Sequence, residues 1–337
     1  MGFKAMVELL RDKQLFLFLK LSRLFTPFYR LSYIAALINN GFLEILAEKP
    51  LPFDELAQRV GVSKEKFGAL EAWLQTGMRL KEIGLEEDGY TLKGISAELV
   101  RAGNDSFLAI VQEVTSLHHQ LILETPHKLR EGERWTLDDQ DGEIIARSSR
   151  IIEPFQREAI DATFPATKPL MLLEVGCGSG IYLKYATERN PQLSAIGVEL
   201  QPSVADMARR NLEGWRLQER VKVESGDIRD KSFDHPFDIV TLYNNIYYFP
   251  VSERVALLEH LRNYLRRDGF LLLTTGCQGG QATMEVLNLW GAATQGCDRL
   301  PHKEEMIRQM ETAGFVNVEA RYLLPGDSFY MFIGYSS

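Results

Sequence analysis

The sequence predicts an α/β domain built on a largely parallel sheet in its C-terminal half, preceded by an α-helical domain, and three observations carry that prediction. Residues 170–186 read as strand, glycine-rich turn and helix. Further apolar strand segments alternate with helical ones from residue 193 to residue 275, the pattern of a sheet with helices on both faces. Upstream, residues 51–92 read as helix, turn, helix and hairpin.

The first of these stretches organises the chain. Leu170, Met171, Leu172, Leu173 and Val175 form a strand apolar on both faces, and Tyr182, Leu183, Tyr185 and Ala186 give the next helix an apolar side. Between them Gly176, Gly178 and Gly180 lack a Cβ, so the backbone turns tightly and a ligand can approach the N–H groups at the helix start. A dinucleotide fingerprint needs Gly-x-Gly-x-x-Gly, but here the third glycine comes one residue early. Glu174, near the strand end, suits an ammonium or sulfonium charge and would repel a pyrophosphate. Both details argue against NAD.

The run Glu174-Val-Gly-Cys-Gly-Ser-Gly180 resembles the S-adenosyl-L-methionine (SAM) loop of class I methyltransferases. That resemblance implies a Rossmann-like, seven-stranded domain and an acidic residue ending the second strand. Glu199, after Leu193–Val198, is that residue, and an ionised carboxylate can accept from both ribose hydroxyls. Arg220–Glu224 alternates as a third strand and leads to Asp227 and Ile228, which the resemblance places at the adenine amine and ring. The implied cofactor set is Glu174, Gly176, Gly178, Gly180, Glu199, Leu200, Asp227, Ile228 and Tyr243.

Composition narrows the function classes. The chain has 337 residues, is 45% hydrophobic and carries a net charge of −8, with no lysine- or arginine-rich block, so a nucleic-acid duplex is not an expected partner. Cys177, Cys277 and Cys297 form no Cys-x-x-Cys pair; reduced thiols in a cytoplasm, and no metal, are expected. Glu8, Arg11, Asp12, Lys13 and Lys20 interrupt the apolar N-terminal residues, which argues against a signal peptide or membrane span.

Residues 1–30 mix basic and aromatic residues on more than one helical face. An arm packed on a second subunit is favoured, with a membrane-surface helix as the alternative. A helix follows from Tyr33 to Asn40. Asp54 and Ser63 are expected N-caps of the next two helices, and Asp88-Gly89 the tip of a hairpin, which together make a winged helix. From Leu51 to Gly103 there are seven basic and nine acidic residues, and the wing carries Glu86, Glu87 and Asp88, so phosphate contacts are disfavoured. A winged helix joined to a C-terminal SAM domain is similar to small-molecule O-methyltransferases of plants and bacteria, which implies a homodimer. Residues 104–130 read as helical, the polar stretch 131–142 as a boundary between domains 1–140 and 141–337, and 143–164 as one helix roofing the acceptor pocket, with Arg147, Arg150, Phe155 and Arg157 as possible contacts.

Phe237–Tyr243 is the fourth strand, and Asn244-Asn-Ile-Tyr-Tyr248 lies at its carboxyl end, where ligands of open α/β sheets bind. A helix over 251–265, a strand over 270–275, a helix over 302–313 and a hairpin over 315–335 complete the reading. In the resembled family a histidine base stands just after the fourth strand, and this sequence has none there. Asn244, Asn245, Tyr247 and Tyr248 are therefore the candidate catalytic residues, orienting an acceptor that needs no strong base. His118, His119 or His302 is the alternative base, and a SAM-binding regulatory or nucleic-acid-associated protein the alternative function. Asn-Asn-Ile-Tyr also resembles, weakly, the Asn-Pro-Pro-Tyr loop of nucleic-acid N-methyltransferases. Phe155, Tyr243, Tyr247, Phe249, Met284, Leu287 and Trp290 are expected to enclose a hydrophobic small-molecule acceptor.

Overall fold

A computed structural model describes residues 14–337, in two compact units: one of residues 14–119 with 143–149, the other of residues 120–142 with 150–337. The expected arm over 1–30 thus lies only partly within the described residues.

The first unit begins with α1 (Gln14–Asn39), followed by α2 (Phe42–Glu48), α3 (Phe53–Arg59), a 3-10 turn (Lys64–Lys66) and α4 (Phe67–Leu80). The hairpin β1 (Ile83–Glu86) and β2 (Gly89–Leu92), α5 (Gly94–Ala102) and α6 (Asp105–Glu113) complete its main body. Its core gathers Leu37, Leu51, Leu56 and Leu74, with Tyr33 stacked on Trp73 at 4.5 Å. Both expected caps are displaced. Pro52 is the N-cap of α3, which puts Asp54 inside the first turn, and Ser63 precedes the 3-10 turn without a side-chain capping bond. A fixed φ makes proline a ready helix starter, which moves the start one residue ahead of Asp54. Within α1, Tyr33 to Ile38 contribute to the core, whereas Phe16, Leu17, Phe18, Leu24 and Phe28 are exposed. Arg30 pairs with the fully buried Glu82, which also accepts from Ser96 N at 2.8 Å and Ser96 Oγ at 2.7 Å.

The helical reading of 104–130 resolves into α6, a π-turn (Val114–His118) and α7 (His119–Glu131). The reading of 143–164 as one helix fails: α8 (Gly142–Ser148), a 3-10 turn (Ser149–Ile152) and α9 (Glu153–Thr163) stand in its place, because Pro154 in the first turn of α9 cannot continue a helix from upstream. The two units do not part at residue 140. Residues 120–142 stay with the second unit because Trp135, buried, donates its N–H to Ala293 O at 3.0 Å, accepts from Gln295 N at 2.7 Å and bonds Thr125 Oγ1 through Nε1 at 2.8 Å.

The second unit continues with β3 (Leu170–Val175), α10 (Ile181–Arg189), β4 (Leu193–Glu199), α11 (Pro202–Gly214), β5 (Val221–Ser225) and β6 (Phe237–Tyr243). Then come α12 (Arg254–Asn263), β7 (Leu265–Gly276), α13 (Ala282–Ala293), α14 (Lys303–Thr312), β8 (Val316–Tyr322) and β9 (Phe329–Tyr335). The sheet order is β5-β4-β3-β6-β7-β9-β8, with β5 to β7 parallel and β9 antiparallel to both neighbours. Both faces are covered: Leu172, Ile239 and Leu272 pack on one side with Leu183, while Leu173, Val240 and Leu271 pack on the other with Leu257 and Leu258. Strands buried on two faces need apolar residues at consecutive positions, which is why they read as unbroken apolar runs. β7 starts five residues before the expected strand, Asp268 taking a φ of 62° on the way. β8 is one edge and β5 the other, and the register of β8 against β9 shifts between Val316 and Glu319, where Asn317 has a φ of 51°. The chain leaves β3 toward β4 and β6 on opposite sides, so the crevice of this sheet lies at the carboxyl ends of β3 and β6.

Candidate functional site

That crevice is built from the glycine turn after β3. Gly176, Gly178 and Gly180 have φ values of 68°, 53° and 79°, all in the left-handed region that side chains strain. Gly176 N and Cys177 N donate to Val198 O, pinning the turn to β4. A Cβ on Gly176 would stand 2.3 Å from Asn245 Nδ2, whereas one on Gly178 would meet nothing within 4 Å. The first glycine is therefore required by packing and the second faces open space.

Glu174 is 1% exposed and its Oε2 has no hydrogen-bond partner, although it stands within electrostatic reach of Cys177, Tyr182 and Tyr243. Burial pushes its carboxyl well above the usual range. Glu199 ends β4 with Oε2 accepting from Gly178 N at 3.0 Å and Oε1 from Gln201 N at 3.1 Å. Each of its oxygens keeps a lone pair for a hydroxyl. Leu200 beside it is 54% exposed. Asp227 caps the turn after β5 and is held by Arg229, whose hydrogen bonds keep the carboxyl below the usual range. Ile228, expected against an adenine ring, is buried in the sheet core near Leu257, and Tyr243 packs edge-on to Tyr182 at 5.3 Å.

These residues fit SAM. An open glycine turn, a carboxylate with free acceptor sites and a buried carboxylate lacking a partner match the backbone approach, the ribose and the cationic end of that molecule. Among the described residues no group of three or more His, Cys, Asp or Glu side chains could hold a metal ion.

After β6 the chain turns sharply. Asn244 has a φ of 51°, donates its N–H to Thr274 O at 2.6 Å and leaves Oδ1 buried without a partner. Asn245 does something the sequence did not suggest: its Nδ2 donates to Val175 O at 2.7 Å, tying the β6 loop to the last residue of β3. The Tyr247 ring stacks on Tyr248 at 5.0 Å, and both meet Trp290 edge-on at 5.9 and 5.3 Å. The expected acceptor wall does not close as one cluster. Phe155, Tyr243 and Met284 pack against one face of the sheet and Phe249 against the other, because the strands carry successive side chains to opposite sides.

Arg254 is a further residue that sequence reasoning missed. It is fully buried and donates Nε to Phe249 O at 3.0 Å and Nη2 to Arg299 O at 2.6 Å, with burial lowering its pKa to about 10. Asp298 accepts from Val251 N at 3.0 Å, and its own N–H donates to Tyr247 O at 2.9 Å. The segments 247–251 and 298–299 are thus fastened together; a lone arginine after a loop gives no sequence signal of this. Of the alternative bases, His302 caps α14, His118 pairs with Glu113 at 3.1 Å and His119 lies against Phe28.

Comparison with known proteins agrees with this geometry. Residues 172–269 match the family described as a methyltransferase domain. The tRNA1(Val) (adenine(37)-N6)-methyltransferase of Yersinia pestis (strain Pestoides F) is 30% identical over 113 residues, 33% of this chain and 45% of that protein, and its counterpart in Yersinia pseudotuberculosis serotype O:1b gives the same figures. The chain thus spans less than half the length of these curated relatives. Among solved structures, the mitomycin 7-O-methyltransferase MmcR superposes with a TM-score of 0.79 at 16% identity, covering 96% of this chain and 99% of that one. Human N-acetylserotonin methyltransferase in complex with SAM gives 0.74 at 15% identity, with 95% and 97% covered. RosA, a riboflavin-derivative dimethyltransferase from Streptomyces davawensis, gives 0.70 at 20%, with 94% and 98% covered. With the strand order and the glycine turn already in place, residues 172–269 match a methyltransferase domain, and the solved structures share the fold of the chain.

Proposed function

We propose that the chain transfers a methyl group to a hydrophobic or aromatic small molecule, at oxygen or at an activated carbon, without a histidine base. The observation that carries this reading is the composition of the crevice beside β6: backbone, amides and a Tyr247–Tyr248–Trp290 ring cluster, with no imidazole in the loop. Bound SAM supplies a methyl group on a positively charged sulfur. Glu174 receives the cationic end, where its burial makes a charge partner worth most. Glu199 accepts from the ribose hydroxyls, and Asp227 from the adenine amine. Asn244, with an unpartnered carbonyl oxygen and a left-handed backbone, orients the acceptor, the rings of Tyr248 and Trp290 cover its apolar surface, and near-attack positioning supplies the rate enhancement.

The match to adenine-N6 methyltransferases and the Asn244-Asn245-Ile246-Tyr247 run favour a second reading, methylation of an RNA base. Against it stand the acidic hairpin tip and the lack of any basic block. Incubation with methyl-tritiated SAM decides between them: label extracted into organic solvent with phenols, enols or hydroxyquinones supports the small-molecule reading. Label only in tRNA transcripts sinks it.

The exposed front of α1 supports a homodimer, since Phe16, Leu17, Phe18, Leu24 and Phe28 present neighbouring exposed apolar side chains of the kind that mark interaction surfaces. Light scattering on the full chain is expected to give twice the chain mass, falling to one chain mass in a Leu24→Asp, Phe28→Asp variant; a wild-type monomer at micromolar concentration excludes the dimer.

A further inference from the structure

We infer that Arg229 is a positioning residue that sets the cofactor's base specificity, by fixing the Asp227 carboxylate so that it has one acceptor site left for the exocyclic amine of adenine. The inference rests on the reading of Asp227 as the adenine partner. Arg229 N donates to Asp227 Oδ1 at 2.9 Å, Nε lies 3.1 Å from Oδ1 and 3.0 Å from Oδ2, and Nη2 donates to Oδ2 at 2.6 Å. Three N–H hydrogens thus fall on two oxygens that offer about four lone-pair sites. One site remains, enough for a single N–H donor.

The guanidinium is itself held. Its Nη1 donates to Glu253 at 2.7 Å, and its carbon lies 5.6 Å from the centre of the Phe249 ring. Glu253 precedes α12 and Phe249 belongs to the loop after β6, so the Arg229 side chain spans from the turn after β5 to the acceptor-side loop. A planar fork bound on both sides has little freedom to turn, and neither has the carboxylate it grips. A carboxylate free to rotate would accept from water or from other donors and discriminate less between bases. Held in one orientation, it disfavours a base that offers no N–H at that point, because the half-buried acceptor would then lose a partner.

The test compares two probes by calorimetry on the full chain: S-adenosylhomocysteine and S-inosylhomocysteine, in which an oxygen replaces the amine. The wild type is expected to favour the adenosyl compound by about tenfold or more, the scale of one hydrogen bond to a charged group. In Arg229→Gln the preference is expected to fall below about threefold, with Arg229→Lys and Glu253→Gln between the two. Such graded loss of discrimination is not what a merely structural residue would produce, since instability weakens both ligands alike. Full preference retained in Arg229→Gln overturns the role of Arg229. No preference in the wild type overturns the adenine reading of Asp227, and the inference with it.

Discussion

The two ends of the crevice are made differently. At the proposed cofactor end stand three carboxylates and backbone N–H groups exposed by glycine, each carboxylate fixed by a hydrogen bond or by burial: Glu199 on Gly178 N, Asp227 on Arg229, Glu174 in the dark of the sheet. At the proposed acceptor end there are stacked rings and amides, and the bonds there, Asn245 to Val175 O and Arg254 to Phe249 O, fasten segments together. Charge and backbone geometry specify one ligand; ring packing admits many. A fold can therefore keep one cofactor site while its acceptor site varies.

Three changes sharpen or break this contrast. Glu174→Gln should have the largest effect. Removing one member of a buried charge pair costs ~3–5 kcal/mol, so SAM affinity should fall by about 100-fold or more in calorimetry. The same variant has a pH signature without ligand. Because burial raises the Glu174 pKa, the folded chain retains a proton that the unfolded chain loses above about pH 4.3. Stability must then fall as pH rises from there toward the raised value, and Glu174→Gln should remove that part of the slope in urea titrations at pH 5 and pH 8. Equal slopes in both proteins would mean that Glu174 is ionised in the free chain.

Asn245→Ala should act on both ends at once. It strips the donor from Val175 O and is expected to cost ~1–2 kcal/mol of stability in urea unfolding. A loss of acceptor turnover with no change in stability would assign Asn245 to chemistry instead of positioning. Trp290→Leu should have the smallest effect on the cofactor, leaving SAM affinity within about twofold while raising the acceptor KM, since it removes only ring contacts to Tyr247 and Tyr248. Should it weaken SAM as strongly as Glu174→Gln, the two ends are not separable.

The same contrast explains what could be read from the sequence. β3, the glycine turn, Glu199 at the end of β4 and the extent of β6 were legible because a strand buried on both faces and a turn needing positive φ restrict residue choice at consecutive positions. Arg229 and Arg254 were not assigned, and Asn245 was read as a catalytic candidate and not as a tie between loops, because Glu253, Arg299 O and Val175 O lie 24, 45 and 70 residues from them and no local pattern announces such partners. The acceptor wall failed for a related reason: aromatic residues near the strand ends were grouped by sequence, and the sheet then divided them between its faces. Element ends erred where proline or a 3-10 turn reset the start, as at α3, α9 and α12.

The edge of the sheet bears on how copies of this protein can meet. A straight edge strand offers a row of unpaired N–H and C=O groups on which another strand can grow, and growth of that kind has no natural end. β8 breaks the row early: the register shift between Val316 and Glu319, with Asn317 turned to a positive φ, bends it, and Glu319 and Arg321 put charge along it. The exposed apolar residues of α1 are, by contrast, a helical surface, which two copies can close upon each other. At this edge, strand-by-strand growth is interrupted before it can begin.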